Sequence, residues 1–554
     1  SRGLGDVYKR QLVHKVFYTD KRYEIFSYDE NLNLIKREND KGDYIKFVYD
    51  KLNRIVEVKN SFSQKQSFVY DSVGNLVEET DTLGNTTKYT YSLSGNLTSV
   101  LDAMGNRTEY AYDIMGRLIT VYRHEGDSFR LEDLEKEIQK EEHYVKVTNE
   151  KDLEEKKLNA PRIMRYYRNL MGEVECIKNA FGEEEHFSYD LTSKVISKTD
   201  REGYETKYTY TELGDIASIL YADERKVEYT YNSLRQLTKV KDVLGEINIE
   251  LDKLGRAKKV IDYKGRETKY KLGAFGERLE LEYPDGKKVK YSYDDELNLI
   301  KLISGDKEIS YAYDDYGRLI RKDMPEEISS IYTYNERGLL ESLTHLQKER
   351  NLEKYSYLYD LAGNKTGISK KRSTQIECID VEDPEKIEEK LWEDSAVFNY
   401  EYDKLNRLIS VKKDSKKLHS YSYDAFGNRL TFESKDSNIH YIYNALDQLV
   451  EEKGVYPNRK YSYDKRGNLK SVLSGGELIR GYEYDTLDRL SLSYSFSGKA
   501  KNYIYDGLGN RIGNTEHRVD KDDLRDISKD ILKELDIVSE EEYLLDITLS
   551  LIHI

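Results

Sequence analysis

Nine histidines, two cysteines and 104 acidic side chains are the residues of this 554-residue chain that could do chemistry. The histidines are scattered at His14, His124, His143, His186, His345, His419, His440, His517 and His553, and no two have zinc-ligand spacing. They read as solvated or strand-face residues. Cys176 and Cys378 belong to no CxxC, so the chain does not depend on disulfides. Two carboxylates could in principle form a glycosidase pair, but nothing marks two out. The aspartates that recur, such as Asp71, Asp113 and Asp424, sit where each can accept a backbone N–H within a turn. Loops of Asp, Gly and Asn raise the question of calcium, yet they lack the alternating Asp-x-Asp-x-Asp of an EF-hand loop. Glycosylation sequons such as Asn85-Thr86-Thr87 and Asn106-Arg107-Thr108 arise from the same turns, where a turn Asn precedes a strand Thr. Every glycine reads as turn punctuation, so nucleotide loops are absent. The expectation is a non-enzymatic chain with no catalytic, cofactor or metal residues.

What the aspartates serve is a repeat. Residues 81–118 contain one unit written almost twice: Asp-x-x-Gly-Asn, a Thr, a Tyr-x-Tyr pair, then a second turn ending in Gly-Asn-Leu or Gly-Arg-Leu. Tyr28, Tyr49, Tyr70, Tyr91 and Tyr112 follow one another at intervals of 21 residues. The ladder resumes at Tyr189, Tyr210 and Tyr231 and weakens where Leu251 and Leu272 take the Tyr slot. It returns at Tyr293, Tyr313, Tyr334 and Tyr359, then runs from Tyr402 through Tyr423, Tyr443, Tyr463 and Tyr484 to Tyr505. Roughly twenty units make a repeat architecture. Its structural positions are Tyr70, Asp71 and Gly74; Tyr91 and Gly95; Tyr112, Asp113 and Gly116; and Tyr313, Asp314 and Gly317. Tyr423, Asp424 and Gly427; Tyr463, Asp464 and Gly467; and Tyr505, Asp506 and Gly509 continue the set.

Two turns and two strands account for each unit. The Asp suits the first position of a type I turn, and a glycine such as Gly84 can take the positive φ that closes a short hairpin loop. Between turns, period-2 alternation such as Thr87-Lys88-Tyr89-Thr90-Tyr91 is a strand signature. It places Tyr89 and Tyr91 on one face and Lys88 and Thr90 on the other. The fold expected is all-β: tandem hairpins in a long antiparallel meander, with tyrosines stacked across the sheet as aromatic cross-strand pairs. Roughly forty strands at about 4.8 Å spacing form a strip on the order of 190 Å long. Open twisted sheets rarely exceed about 10 strands without curling, so the strip must coil into a spiral, tube or shell, and the low aliphatic content favours a hollow one.

Composition agrees with thin sheets. Tyrosine supplies 50 residues against 13 Phe, 5 Met and 1 Trp. The apolar fraction is 38% with mean hydropathy -0.80, leaving few aliphatic side chains for a thick interior. A net charge of -15 argues against nucleic acid or an anionic membrane as the main partner. No run of about 18 apolar residues exists to span a membrane as a helix.

The segments expected are Tyr-Asp repeats at 12–122, a charged and partly helical insertion at 123–160, repeats at 161–370, an insertion at 371–396, repeats at 397–514, and a helical segment leading into a strand at 515–548. Short helices are expected over 131–140 and on the face formed by Leu524, Ile527, Ile531 and Leu535. Residues 1–11 and 549–554 fit no repeat and read as non-native ends, so the signal region is not observable.

The turns Tyr70–Leu76 (YDSVGNL), Tyr112–Leu118 (YDIMGRL), Tyr313–Leu319 (YDDYGRL) and Tyr463–Leu469 (YDKRGNL) resemble those of the Rhs/YD-repeat family. That family includes bacterial Rhs and wall-associated polymorphic toxins, Tc toxin C components and teneurins. The resemblance implies a hollow β-shell that encloses a C-terminal polypeptide, in bacterial toxins a variable effector of the same full-length protein. It also implies a secreted or cell wall-associated protein used in contact-dependent competition. The shell-closing Asp-Pro-x-Gly-Leu motif of complete toxins is missing, since Asp383-Pro384 is followed by Glu385-Lys386. The effector is therefore expected outside this fragment, and no catalytic residue carries over. The alternative is a cell-surface adhesion or carbohydrate-binding protein whose exposed tyrosine rows stack on glycans.

Overall fold

In the computed structural model the residues described are 12–17, 22–126, 158, 160–348, 350–379, 387–519 and 537–542, with the side chains of 374–393 and 542 left aside. They form 44 strands, numbered β1 to β44 in chain order, in one sheet. Pairing joins consecutive strands, antiparallel, as in β6 (Lys65–Tyr70) with β7 (Leu76–Thr80) and β7 with β8 (Thr86–Tyr91). The helices expected over 131–140 and 524–535 lie outside the described residues.

Period 2 decides the two faces. In β18 (Lys226–Tyr231), Val227, Tyr229 and Tyr231 turn to the more buried side while Lys226 and Thr230 stay exposed. The opposite face carries cross-strand ion pairs: Lys239 with Glu246 at 2.9 Å, Lys259 with Glu250 at 2.8 Å and Lys269 with Glu282 at 2.9 Å. Half-exposed pairs of this kind stabilise by about 0–1 kcal/mol each, so they fix register more than they hold the fold.

The stretch 371–396, expected as an insertion, stays in the sheet wherever it is described. It belongs to the two longest strands, β31 (Lys365–Ile379) and β32 (Ile387–Tyr402), paired from Gly367 opposite Asn399 to Ile379 opposite Ile387. Added residues in register lengthen a hairpin because every new backbone group finds its partner across the ladder. Residues 515–518, expected to open a helical segment, are strand. They belong to β43 (Arg511–Arg518), which pairs with β44 (Ile537–Glu542).

The chain divides into two compact units. Unit 1 comprises Ser1–Leu118, Tyr122–Gln139 and Tyr311–Ala425; unit 2 comprises Ile119–Val121, Lys140–Ser310 and Phe426–Ile554. Each unit groups early repeats with late ones. Both core clusters found among the described residues lie in unit 2. The larger centres on Val240, Ile247, Ile249, Val260 and Leu281, and the smaller joins Leu492, Ala500 and Val519.

Candidate functional site

The repeated turn comes first, because it recurs wherever the ladder does. At Asp71 the backbone N–H donates to the Asn75 carbonyl at 2.9 Å, and Oδ1 accepts from the N–H groups of Val73 at 3.0 Å and Asn75 at 2.8 Å. The turn at the other end of the hairpin, Asp81–Asn85, is built the same way, with Oδ1 of Asp81 accepting from Leu83 and Asn85. Glycine closes most of these loops in the left-handed region, φ +105° at Gly74 and +77° at Gly116. The remaining ladder glycines Gly95, Gly317, Gly427, Gly467 and Gly509 do likewise. Several copies hold the same backbone without glycine, with φ +66° at Leu32, +61° at Arg235 and +64° at Leu297. Not every glycine marks a turn: Gly367, Gly481 and Gly513 lie within strands. At Gly481 a Cβ would stand 2.1 Å from the Tyr494 ring, so the missing side chain makes room for the aromatic.

In many turns the residue after the glycine is Asn or Arg, and both can reach the same carboxylate oxygen. Nδ2 of Asn75 donates to Asp71 Oδ2 at 2.9 Å; Nε of Arg117 donates to Asp113 Oδ2 at 2.7 Å. The Arg117 hydrogen bonds, backbone and side-chain, hold the Asp113 carboxyl below the usual carboxylate range. At Asp314 and Asp71 burial opposes the charge, yet the hydrogen bonds win and the carboxyl is lowered.

The ladder tyrosines couple neighbouring units through their hydroxyls. Tyr112 donates to the Leu97 carbonyl, Tyr423 to Leu408 and Tyr505 to Leu490, each at 2.8 Å and each 15 residues back. Tyr463 reaches Leu449 at 2.8 Å, 14 residues back. Arginine supplies the second link. Arg407 pairs with Asp403 of its own turn, stacks 4.9 Å from the Tyr423 ring of the next, and donates to the Asp424 carbonyl at 2.9 Å. Arg489 over Tyr505 and Arg318 over Tyr334 repeat the stacking. The aromatic cross-strand pairing expected of the tyrosines is thus replaced, at these positions, by hydroxyl-to-carbonyl and guanidinium-to-ring contacts. Each ring meets the turn of the preceding repeat, where the nearest groups are a carbonyl and a cation.

Within unit 2, turns of early repeats touch turns of late ones. The Lys465 N–H donates to Glu202 at 2.6 Å, the Thr486 hydroxyl to Asp223 at 3.5 Å and the Tyr229 hydroxyl to the Gly507 carbonyl at 3.5 Å. Glu202 and Asp223 are 21 residues apart, as are Lys465, Thr486 and Gly507, so the two rows of turns advance together, one repeat at a time. Arg466, only 7% exposed at its side chain, lies 3.5 Å from Asp200; Arg225 lies 3.3 Å from Asp485. A cavity of about 290 Å³ opens on this seam between Tyr221, Asp242 and Asp506. Burial pushes the Asp506 carboxyl up, and the neighbouring Asp242 adds to the rise. Burial likewise raises Tyr221 and Tyr229.

Sequence spacing alone did not bring together Cys176, Glu184 and His186. β13 (Val174–Lys178) and β14 (Glu184–Tyr189) place Cys176 directly opposite His186 and Lys178 opposite Glu184. The three potential ligand atoms lie within 4.8 Å of one another. Burial, with Glu184 beside it, raises the Cys176 thiol.

A family model described as the teneurin YD-shell matches residues 8–131, 142–375 and 385–521. The chain belongs to the YD-shell family. Double-stranded DNA deaminase toxin A of Burkholderia cenocepacia (strain H111) is 22% identical over 354 residues, 60% of this chain and 23% of that protein. tRNA nuclease WapA of Bacillus subtilis (strain 168) is 27% identical over 124 residues, 19% of this chain and 5% of that protein. Human teneurin-4 is 22% identical over 385 residues, 61% of this chain and 13% of that protein. This YD-shell chain therefore spans less than a quarter of the length of these relatives. Among solved structures, a Tc holotoxin pore of Photorhabdus luminescens matches with TM-score 0.49 at 12% identity, covering 90% of this chain and 31% of that one.

Proposed function

We propose that this chain is a non-enzymatic wall segment of a bacterial Rhs/YD-repeat polymorphic toxin, enclosing a C-terminal effector of the same full-length protein. The family match carries the reading, and the repeat gives it a mechanism. One tile, with a turn aspartate at each end and a tyrosine bonded to its neighbour, adds area to a sheet indefinitely. Such a sheet encloses by excluding diffusion, and turn aspartates and ladder tyrosines such as Asp71 and Tyr112 are engaged in holding the tile. The names of two bacterial relatives, a DNA deaminase toxin and a tRNA nuclease, fit a shared wall carrying different effectors. Secretion and display at the producing cell's surface follow from that role.

The adhesion reading depended on rows of exposed tyrosines. The ladder tyrosines are half-buried and several give their hydroxyls to backbone carbonyls, so glycan stacking gains no support. The test is to express the segment that follows the repeats in the natural gene, once alone and once behind them. Growth arrest by the segment alone, abolished when the repeats precede it, is the expected result. Equal effect in both contexts, or none in either, contradicts the proposal.

A further inference from the structure

We infer that Cys176, Glu184 and His186 form a binding site for a borderline-soft divalent cation of the zinc class. The site arises from hairpin register. The turn between β13 and β14 puts Cys176 opposite His186, and the two-residue period puts Glu184 on the same face as His186. Nε2 of His186 stands 3.2 Å from Oε2 of Glu184, while Lys178 holds the other carboxylate oxygen at 3.3 Å. A thiolate, an imidazole and a carboxylate are the three donor types zinc takes from proteins, and a set of three leaves a fourth position for water. A tetrahedral zinc ion, with bonds of about 2.0–2.3 Å, holds its ligand atoms roughly 3.3–3.8 Å apart. The present spread, up to 4.8 Å, closes with side-chain rotations alone. His186 and Glu184 are about half-exposed, at 54% and 42%, so those rotations are opposed by a partly exposed Lys178 contact rather than by packing. Cys176 is buried with its sulfur within 4.8 Å of a ligand atom of each partner, while the two exposed side chains leave the ion an open approach.

The donor set also separates this cluster from an ordinary surface ion pair. His186 and Glu184 alone would make a weak salt bridge, and calcium or magnesium would want oxygen ligands only. The sulfur selects for zinc, cobalt(II) or related ions. Bound there, the ion would bridge β13 to β14 on the charged face and lock one hairpin of the ladder.

Cobalt(II) tests this directly, because its spectrum reports sulfur ligation. The full chain carrying Cys378→Ser, so that Cys176 is the sole thiol, is titrated with cobalt chloride. A sulfur-to-cobalt charge-transfer band with tetrahedral ligand-field bands, displaced by one equivalent of zinc, is expected. His186→Ala or Glu184→Gln should each weaken binding by more than about 100-fold, above the roughly 10–100-fold that loss of an outer hydrogen-bond partner costs. Both replace exposed side chains, so circular dichroism should stay unchanged and a folding defect is separated from a lost ligand. Zinc should also raise the urea midpoint of the parent and leave that of His186→Ala where it was. Absence of the sulfur band overturns the inference. So does a sulfur band that survives both variants at full affinity, which would mark a thiol binding on its own.

Discussion

Val58 and Val240 occupy the same place in the repeat, nine residues after Tyr49 and Tyr231, yet their surroundings differ. Val58, in unit 1, is part-exposed between Phe47 and Gln66 on the neighbouring strands. Val240, in unit 2, is 1% exposed between Tyr229 and Ile247. The backbone tile is the same in both. What differs is the filling: in unit 2 the strands that follow carry Ile247, Ile249, Val260, Leu281 and Val289 on one face, and Leu508 packs onto it from a late turn. Buried positions described in unit 1 are mostly small and polar, among them Ser99, Ser329, Ser330, Ser342 and Ser410. The tile therefore sets shape everywhere, while apolar stability is concentrated where one row of turns meets another.

The sharpest way to break this comparison is the same substitution at both valines. Val240→Ala should cost about 2 kcal/mol, from lost burial plus a cavity, and Val58→Ala less than about 1 kcal/mol. Hydrogen exchange of the local strand amides reads each one, and equal losses would dissolve the distinction between the units. Next in size, Gly116→Val should cost about 1–2 kcal/mol, because the left-handed turn strains any β-branched residue. A Cβ there would also stand 3.3 Å from the Asn96 side chain. Lys88→Ala, on the exposed face, should shift the urea midpoint by less than about 0.5 kcal/mol equivalent. Removing a single hydroxyl comes third: Tyr423→Phe loses the bond to Leu408 and should cost about 1 kcal/mol.

The smallest effect concerns pH, and its sign should differ between seam and open ladder. The Asp113 carboxyl is lowered below its ordinary 3.8 in the folded chain. Its contribution is present above that value and is lost as pH falls through the lower folded value. Asp506 is raised above 3.8, so the folded chain binds its proton more tightly than the unfolded chain does. It favours folding below 3.8, and that advantage is lost as pH rises through the folded value. Asp506→Asn should therefore leave neutral-pH stability unchanged or higher, whereas Asp113→Asn, which gives up the Arg117 pair, should lower it. Urea midpoints for both variants across acid and neutral pH check the two slopes.

Much of the tile was legible in the sequence. The 21-residue interval, the two Asp-to-Gly turns and the tyrosine face follow from local rules, since turn chemistry and period-2 burial act over a few residues. The tyrosine hydroxyl bond was not legible, because it depends on which group of the preceding repeat faces the ring. Copies with Leu251 and Leu272 in the Tyr slot read as weak in sequence, yet they pack against the largest core cluster. There a partly buried aliphatic side chain replaces a hydrogen-bonded aromatic one. The contacts of Glu202 with Lys465 and Arg225 with Asp485 join residues more than 250 positions apart, beyond any local rule. Cys176 and His186 lay within reach of sequence reasoning. Counting outward from the Asn179–Gly182 turn puts them opposite each other, but metal spacing rules look along one strand or helix and pass over a cross-strand pair.

Protease protection tests the enclosing wall most directly. The protein in which these repeats occur, purified with the segment that follows them, is exposed to trypsin before and after unfolding in urea. The wall account predicts that the segment survives while the repeats are folded and is digested once they unfold. Digestion of the segment at the rate of the isolated polypeptide, with the repeats still intact, would contradict it.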